Sequence, residues 1–175
     1  MSADEALAQM NKLLALFPLV PTSDDPAELL PGFFLGSVDH AREVRLLKAL
    51  GIKCVINCAE TETGTDHYKA LGDAGIKCVG FSSSDERSYP ILDHLPLVRA
   101  EIDSALSRGE KCLLHCMAGV NRSGALAIAY ITERTKAPLI EVARSAKEKR
   151  GRICTNVGFQ SQLVKAAVEC KWKLL

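Results

Sequence analysis

KCLLHCMAGVNRSGALAIAY, residues 111–130, contains the junction that sets the fold class of this chain. Its first six residues predict a buried strand, a short loop with one glycine follows, and a helical pattern starts at residue 122. A buried strand that passes through a short loop into a helix is typical of a parallel sheet covered by helices. Ligands of such sheets bind beyond the carboxyl ends of the strands, so this loop is a candidate site.

The neighbouring segments repeat the alternation of strand and helix. The apolar runs IKCVINCA at 52–59 and IKCVGF at 76–81 predict two further buried strands, FFLGS at 33–37 predicts a short one, and residues 21–32 predict a loop. Helices are predicted over 39–50, 66–74, 91–107, 122–135, 138–149 and 156–170. The expected fold is therefore α/β, with a central twisted, mainly parallel sheet flanked by helices on both faces.

The first residues predict a helix of their own. Between residues 3 and 17 apolar side chains recur at steps of three and four, and Pro18 ends the pattern. We expect an amphipathic helix within residues 1–20, packed on a single domain that covers residues 21–175. The apolar face of this helix is alternatively a surface for a partner, so the expected state is a monomer or a weak dimer.

Composition and charge narrow the class of partner and the compartment. The chain is 47% hydrophobic and 25% charged, with 22 Lys and Arg against 21 Asp and Glu. Such a balance gives no overall field for nucleic acid or an anionic membrane, and no apolar run reaches the roughly 20 residues of a membrane span. The N-terminal segment carries acids where a signal peptide has bases, so we expect a cytoplasmic or nuclear protein.

Seven cysteines lie at positions 54, 58, 78, 112, 116, 154 and 170. Their odd number, and the place of most of them inside apolar runs, favour reduced, buried thiols over disulfides. Cys54 and Cys58 are four residues apart, but no second pair or suitably spaced histidine completes a zinc site. We expect no metal and no other cofactor.

The loop after the third apolar strand has the chemistry of a phosphate site. Backbone N–H groups in a tight loop that opens into a helix converge on one point, where the helix dipole adds positive potential. Gly119 lets the chain curl without a clashing Cβ, and Arg122 offers a planar fork for two phosphoryl oxygens. The expected phosphate-binding residues are Met117, Ala118, Gly119, Val120, Asn121 and Arg122.

Cys116, at the start of this loop, is the expected nucleophile. The surrounding N–H groups and Arg122 favour a thiolate, which can attack a phosphate monoester and form a phosphocysteine without a metal. Ser123 either caps the following helix or donates to the sulfur and helps it leave. His115 is expected to hold the loop through its ring hydrogen bonds rather than to move protons. The alternative for Cys116 is a small buried hydrophobe at a strand end.

The pattern H-C-x5-R-S is formed by His115, Cys116, Arg122 and Ser123. It resembles the signature of the cysteine-dependent protein tyrosine phosphatases. Further segments resemble landmarks of the dual-specificity branch: PGFFLGSVDHA at 31–41, VINCAE at 55–60 and NVGFQSQL at 156–163. The resemblance covers about residues 29–170 and fits a small atypical member. It implies a twisted sheet between helices, in agreement with the alternation above, and a phosphatase catalytic domain over residues 21–175.

The resemblance also implies an aspartic acid on a separate loop, which protonates the leaving oxygen and then activates water. Asp85 is the best match, 31 residues before Cys116 in the polar loop after IKCVGF. Its rivals are Glu86, which should point elsewhere, and Asp93, which lies in the next predicted helix. Within NVGFQSQL, Asn156 is expected to be a buried anchor beside the phosphate loop.

The phosphate loop favours a protein substrate. None of the five residues between Cys116 and Arg122 is basic, whereas relatives that act on inositol lipids often place bases there. A nearly neutral chain also offers little to an RNA 5′-triphosphate. We expect hydrolysis of phosphotyrosine and of phosphoserine or phosphothreonine in proteins. The alternatives are a module that binds phosphoproteins without turnover, and a phosphatase that acts on a non-protein phosphate, either an inositol lipid or an RNA 5′-triphosphate. Arg150 and Arg152 are expected to form a solvated helix end, or to meet a second phosphate.

Cys116 is also expected to react with peroxide, because accessible thiolates do so. Cys112 lies four residues earlier on an extended strand, about 13 Å away, and is too far for a disulfide. Cys58 and Cys154 remain candidates for a protective disulfide with Cys116.

Overall fold

The computed structural model describes residues 1–16 and 25–175. Within these residues the strands are β1 (Ala27–Leu30), β2 (Phe33–Gly36), β3 (Ile52–Asn57), β4 (Lys77–Gly80) and β5 (Lys111–His115). They form a five-stranded sheet in the order β1-β2-β5-β3-β4. The edge strand β1 is antiparallel to β2, and the remaining pairs are parallel. The predicted fold class is therefore confirmed.

Helices connect the strands and follow the last one. In the described residues they are α1 (Ala3–Ala15), α2 (Val38–Arg42), α3 (Val44–Leu50), α4 (Glu60–Thr63), α5 (Tyr68–Asp73), α6 (Leu95–Ser107), α7 (Arg122–Thr135), α8 (Leu139–Arg150) and α9 (Val157–Glu169). A 3₁₀ turn, Ile91–His94, leads into α6. The predicted ranges for the last four helices agree with α6 to α9 within a few residues.

Both faces of the sheet are covered, because neighbouring residues of a strand point to opposite sides. In β5, Leu113 belongs to a core shared with Leu47 of α3 and Leu71 of α5. Leu114 belongs to the opposite, larger core, which includes Ile102 of α6 and Leu126 of α7. Successive apolar residues in the middle of β5 thus pack into the two cores on opposite faces of the sheet.

Helix α7 lies deep in the molecule and carries the residues that follow the candidate loop. Residues 122–132 are all buried, because α7 packs against β2 and β5 on one side and against α8 and α9 on the other. At Gly124 a Cβ would come within 2.8 Å of Ile153, so a glycine is required for this packing. The rigid core therefore fixes where the amino end of α7 meets β5.

Two local predictions were wrong, and one element was missed. Ala27–Leu30 forms an edge strand within the predicted loop, and its four residues with an irregular register give no readable alternation. The predicted helix 39–50 breaks at Glu43, whose φ of −84° and ψ of 80° are not helical. The single turn α4 was missed because its sequence, ETET, is polar. A tertiary contact holds α4: Arg42 Nη2 donates to the carbonyl of Thr63 at 2.9 Å.

Helix α1 packs on α8 and α9 and buries Ala6, Met10 and Leu14 in the larger core. Ser2 and Glu5 form a capping box at its start. It ends at Ala15, earlier than residue 17, and Pro18 lies outside the described residues. In the part of the chain that the structure describes, no helix combines the length and apolarity needed to cross a bilayer.

Candidate active site

The loop from Cys116 to Asn121 joins β5 to α7, and outside partners hold its carbonyl groups. Val38 N–H donates to the carbonyl of Met117 at 3.0 Å, and Cys154 N–H donates to that of Val120 at 2.7 Å. Arg150 donates to the carbonyls of Ala118 and Gly119 at 3.1 and 3.2 Å. Four successive carbonyls are thus occupied from outside.

The N–H groups of the same loop form no hydrogen bond with any described residue. Peptide N–H groups are strong donors, and an unpaired set beside a helix start binds anions. The loop therefore presents unpaired donors at the place where the sequence predicts a phosphate cradle. Gly119 makes this loop conformation possible: its φ is +66°, and a Cβ there would overlap the carbonyl of Gly36 at the end of β2.

Arg150 was interpreted from sequence as a solvated helix end or a contact to a second phosphate, and the structure gives it a different place. Its guanidinium is bound to the phosphate loop, and burial lowers its pKa while the nearby Cys116 opposes that shift. Arg150 is the last residue of α8, so α8 braces the loop from outside. Arg152 is exposed, as a solvated end would be.

The sulfur of Cys116 lies at the carboxyl end of β5 and is largely covered, with 2% of the residue exposed. Ser123 Oγ donates to Sγ at 3.2 Å, so of the two predicted uses of Ser123 the structure shows the bond to sulfur. Asn121, not Ser123, occupies the N-cap position of α7. A hydroxyl proton pointing at sulfur stabilises negative charge there.

His115 is buried beneath the loop. Its Nδ1 lies 3.0 Å from the carbonyl of Cys116, so Nδ1 carries the proton and donates. Burial lowers the pKa of His115 to about 4, and the ring is neutral at neutral pH. Its Nε2 is buried without a partner among the described residues. The geometry agrees with a residue that holds the loop.

Arg122 is oriented by two segments far away in the sequence. Its side chain is buried, and its terminal nitrogens donate to the carboxylate of Glu62 in α4 and to the carbonyl of Ser83 at 3.1 Å. Its Nε is buried with no partner in the described residues. Since an unpaired buried donor is costly, Nε is available for an anion. Glu62 was missed from sequence, because nothing in ETET distinguishes it from a solvated carboxylate.

Asp85 lies beside the phosphate loop and is held by two side-chain amides. Asn156 Nδ2 donates to Oδ1 of Asp85 and to its carbonyl, both at 2.9 Å. Asn121 Nδ2 donates to Oδ2 at 3.0 Å. Asn156 also caps α9 through Oδ1, which accepts from Gly158 and Phe159. Asn156 is therefore an anchor next to the loop, but it is partly exposed rather than buried.

The rivals of Asp85 do not share these contacts. Glu86 is exposed, and its hydrogen bonds to Ser84 and Tyr89 are made by its backbone. Asp93, which was predicted to lie within the next helix, lies in the 3₁₀ turn that leads into α6. Of the three carboxylates, Asp85 is the one bound to a residue of the phosphate loop.

The other cysteines of the core are thiols. Burial raises the pKa of Cys58 and of Cys154, to about 12 for the latter. Cys58 also interacts electrostatically with Cys116, and its N–H donates to the carbonyl of His115 at 2.8 Å. Among the described residues, no group of three or more His, Cys, Asp or Glu side chains is placed to hold a metal ion.

An open groove of about 720 Å³ adjoins the phosphate loop. Met117, Ala118 and Arg150 line it together with residues of α2 and α3.

Known proteins share this sequence pattern. The family model for the catalytic domain of dual specificity phosphatases matches residues 33–169. Dual specificity protein phosphatase 26 of Homo sapiens is 36% identical over 140 residues, which are 78% of this chain and 64% of that protein. Dual specificity protein phosphatase 2 of Mus musculus is 31% identical over 153 residues, 84% of this chain and 45% of that protein. The chain thus spans about half to two thirds of these relatives.

Solved structures share the fold. The crystal structure of a human tyrosine phosphatase-like serine/threonine/tyrosine-interacting protein superposes with a TM-score of 0.75 at 28% identity, covering 85% of this chain and 99% of that one. The crystal structure of DUSP15 gives a TM-score of 0.76 at 24% identity, covering 87% and 93%. The second similarity concerns the fold alone.

Proposed function

Because the chain belongs to the dual specificity phosphatase family, we propose that it is a protein phosphatase that works through a phosphocysteine and needs no metal. One observation carries the proposal: Cys116 begins a loop whose N–H groups are unpaired within the described residues and whose carbonyls are held from outside. Such a loop binds a phosphate directly in front of the sulfur.

In the first step the Cys116 thiolate attacks phosphorus. The P–S bond forms while the bond between phosphorus and the leaving oxygen breaks, and Asp85 gives its proton to that oxygen. The loop N–H groups and Arg122 bind the three equatorial oxygens, where charge is spread in the transition state. Glu62 and Ser83 hold Arg122 in place for this task.

In the second step water attacks the phosphocysteine. The Asp85 carboxylate accepts a proton from the water, the P–S bond breaks and the sulfur leaves as a thiolate. The Ser123 hydroxyl, 3.2 Å from Sγ, stabilises the charge that returns to sulfur. Phosphate then departs, and the loop is ready for another substrate.

The substrates that we propose are phosphotyrosine and phosphoserine or phosphothreonine in proteins. The loop residues from Met117 to Asn121 include no cation for a second phosphate of an inositol lipid. Arg150, a basic side chain beside the loop, is occupied with loop carbonyls.

The first test is hydrolysis of 4-nitrophenyl phosphate in EDTA by the natural chain, by Cys116→Ser and by the matched control Cys170→Ser, whose cysteine is exposed. We expect turnover by the natural chain and the control, and none above background by Cys116→Ser. Phosphotyrosyl and phosphothreonyl peptides, an inositol phospholipid and an RNA 5′-triphosphate then rank the substrates. A folded, reduced natural chain without turnover on any of them contradicts the proposal and favours binding without catalysis.

A further inference from the structure

Asn121, the last loop residue before Arg122, uses both ends of its amide to join three segments. Its Nδ2 donates to Oδ2 of Asp85 at 3.0 Å. Its Oδ1 accepts from the N–H of Asn156 at 3.0 Å and from the hydroxyl of Thr155 at 3.2 Å. The phosphate loop, the segment before α9 and the loop that carries Asp85 therefore meet at one side chain.

The loop that carries Asp85, residues 82–90, is attached elsewhere through its ends and its backbone. Arg122 donates to the carbonyl of Ser83, and Gln162 Nε2 donates to that of Tyr89 at 2.8 Å. These bonds place the main chain but do not orient the carboxylate. Within the described residues, the carboxylate of Asp85 is bound by two groups, Asn156 on Oδ1 and Asn121 on Oδ2.

Only the bond from Asn121 links that carboxylate to the phosphate loop itself, as far as the described residues show. With one amide on each oxygen, the carboxylate can neither rotate nor withdraw without breaking a hydrogen bond. A carboxyl oxygen has two acceptor positions, so each oxygen keeps one for a transferable proton. The arrangement holds the group and leaves it able to react.

The type of side chain fits this task. A donor toward Asp85 and an acceptor toward Asn156 are required at the same position, and a primary amide supplies both. Asn121 makes no side-chain hydrogen bond that caps α7, although it occupies the N-cap position. Capping of α7 therefore does not explain why an asparagine side chain is present at this position.

We propose that Asn121 is a positioning residue for the general acid, which holds Asp85 at the leaving-group side of the phosphate loop. This inference rests on the proposed function. Displacement of a catalytic group by about 1 Å costs up to about a hundredfold in rate. Asn121 matters most when the leaving oxygen needs a proton, as with an unactivated phenol, and least when the leaving group departs as an anion.

The test compares phenyl phosphate, which has a poor leaving group, with 4-nitrophenyl phosphate, which has a good one. In Asn121→Ser we expect kcat/KM to fall at least about tenfold on phenyl phosphate and no more than about threefold on 4-nitrophenyl phosphate. The ratio is measured within one protein preparation, so a partly unfolded variant does not change it. Asn121→Gln keeps the amide and should recover part of the ratio.

A double-mutant cycle and a loop control separate positioning from a general disturbance. In the Asp85→Asn background, Asn121→Ser should lower phenyl phosphate hydrolysis by less than about twofold, because the acid is already gone. Val120→Ala alters the same loop without a bond to Asp85, so any loss should be equal on both substrates.

An equal loss on both substrates in Asn121→Ser, or a full additional loss in the Asp85→Asn background, overturns the positioning role and leaves the phosphatase intact. A natural chain that fails to hydrolyse 4-nitrophenyl phosphate in a Cys116-dependent way overturns both proposals. The two failures are therefore distinct.

Discussion

At the scale of single residues, the site contains two kinds of side chain. Some have the functional groups that the proposed chemistry needs, and others orient those groups. Cys116, Arg122 and Ser123 lie within one short segment, residues 116–123. Their thiol, guanidinium and hydroxyl groups suggest phosphate chemistry directly. Glu62 and Arg150 act on that segment from other helices. The roles of these two residues depend on contacts with groups that are distant in sequence, so a local sequence pattern does not predict those roles.

Oxidation of Cys116 provides a prediction about one pair of residues. Asn57 and His115 are paired in the parallel ladder of β3 and β5, so the next residues, Cys58 and Cys116, are neighbours about 5 Å apart at Cα. This separation suits a disulfide. Peroxide converts the Cys116 thiolate to a sulfenic acid with release of hydroxide, and the Cys58 thiol displaces water from it to close the bond.

After treatment with about one equivalent of hydrogen peroxide, we expect a peptide that contains Cys58 linked to one that contains Cys116 by mass spectrometry. Dithiothreitol should restore activity. In the Cys58→Ser variant, Cys116 should instead be oxidised irreversibly. The Cys154→Ser variant should behave like the natural chain. A disulfide to Cys154, or none in a preparation that loses activity reversibly, would contradict the pairing.

His115 gives a prediction about pH and stability. Its folded pKa of about 4 lies below the ordinary value of 6.5, because burial disfavours the charged ring. Between these values the unfolded chain binds the proton and the folded chain does not, so the stability contribution is present above pH 6.5 and is lost as pH falls toward 4. Between pH 7 and 5 the loss should be about 2 kcal/mol.

Urea unfolding at several pH values measures this loss. His115→Gln cannot titrate, so its free energy of unfolding should decline less than that of the natural chain over the same range. Parallel curves for the two proteins would show that His115 is not the group responsible.

At the scale of elements, the site forms where the end of β5, the loop of Asp85 and the start of α9 touch. Gly158, in the first turn of α9, lies against the backbone of Arg87, and a Cβ there would overlap its carbonyl. The missing side chain lets the loop of Asp85 approach Asn156 closely enough for two hydrogen bonds. Close backbone approach is thus a condition for placing the carboxylate.

Gly158→Ala should push that loop away from α9. We expect a loss of about 1–3 kcal/mol in unfolding free energy from the steric conflict, together with a larger loss of activity on phenyl phosphate than on 4-nitrophenyl phosphate. Gly72→Ala in α5 is the matched control, since a Cβ at Gly72 would meet no atom within 4 Å and alanine favours helices. Equal effects of the two substitutions would reject the close-contact argument.

At the scale of the whole molecule, α7 forms the middle of a layered structure, between the sheet and the helices α8 and α9, and α1 lies outside these two. Lys147 of α8 donates to the carbonyl of Leu13 at 2.6 Å and also to that of Leu16. Arg150, which braces the phosphate loop, lies three residues further along α8. Packing of α1 therefore supports a helix that also contacts the site.

Removal of one α1 side chain tests this support. Met10 is fully buried, and Met10→Ala should lower the free energy of unfolding by about 2–5 kcal/mol. Leu16→Ala, at a side chain that is mostly exposed, should change it by less than about 0.5 kcal/mol. Thermal or urea unfolding compares them. A Met10→Ala variant as stable as Leu16→Ala would mean that α1 contributes little to the domain.

Much of the architecture was predictable because its signals are local. β5, the loop and α7 follow one another without interruption, so hydrophobic periodicity and one glycine define the junction. The one-turn helix α4 and the edge strand β1 were missed, because each has only four residues. Distant parts of the chain contact both: Arg122 binds Glu62 of α4, and Lys149 Nζ donates to the carbonyl of Leu29 in β1 at 2.8 Å. Short elements carry too few residues to show a period.

The amino-acid sequence alone predicted the α/β class, which the structure confirms, and the candidate nucleophile loop with its arginine, since the patterns of strand, loop and helix extend over a few neighbouring residues. The tertiary structure alone brought Glu62 to Arg122, Arg150 to the loop carbonyls and Asn121 to Asp85, across 60, 31 or 32, and 36 residues of chain. Those contacts arise from the packing of whole helices around the sheet. Propensity and spacing along the chain do not encode a distance between such segments, so the orientation of the reactive groups follows from the folded core.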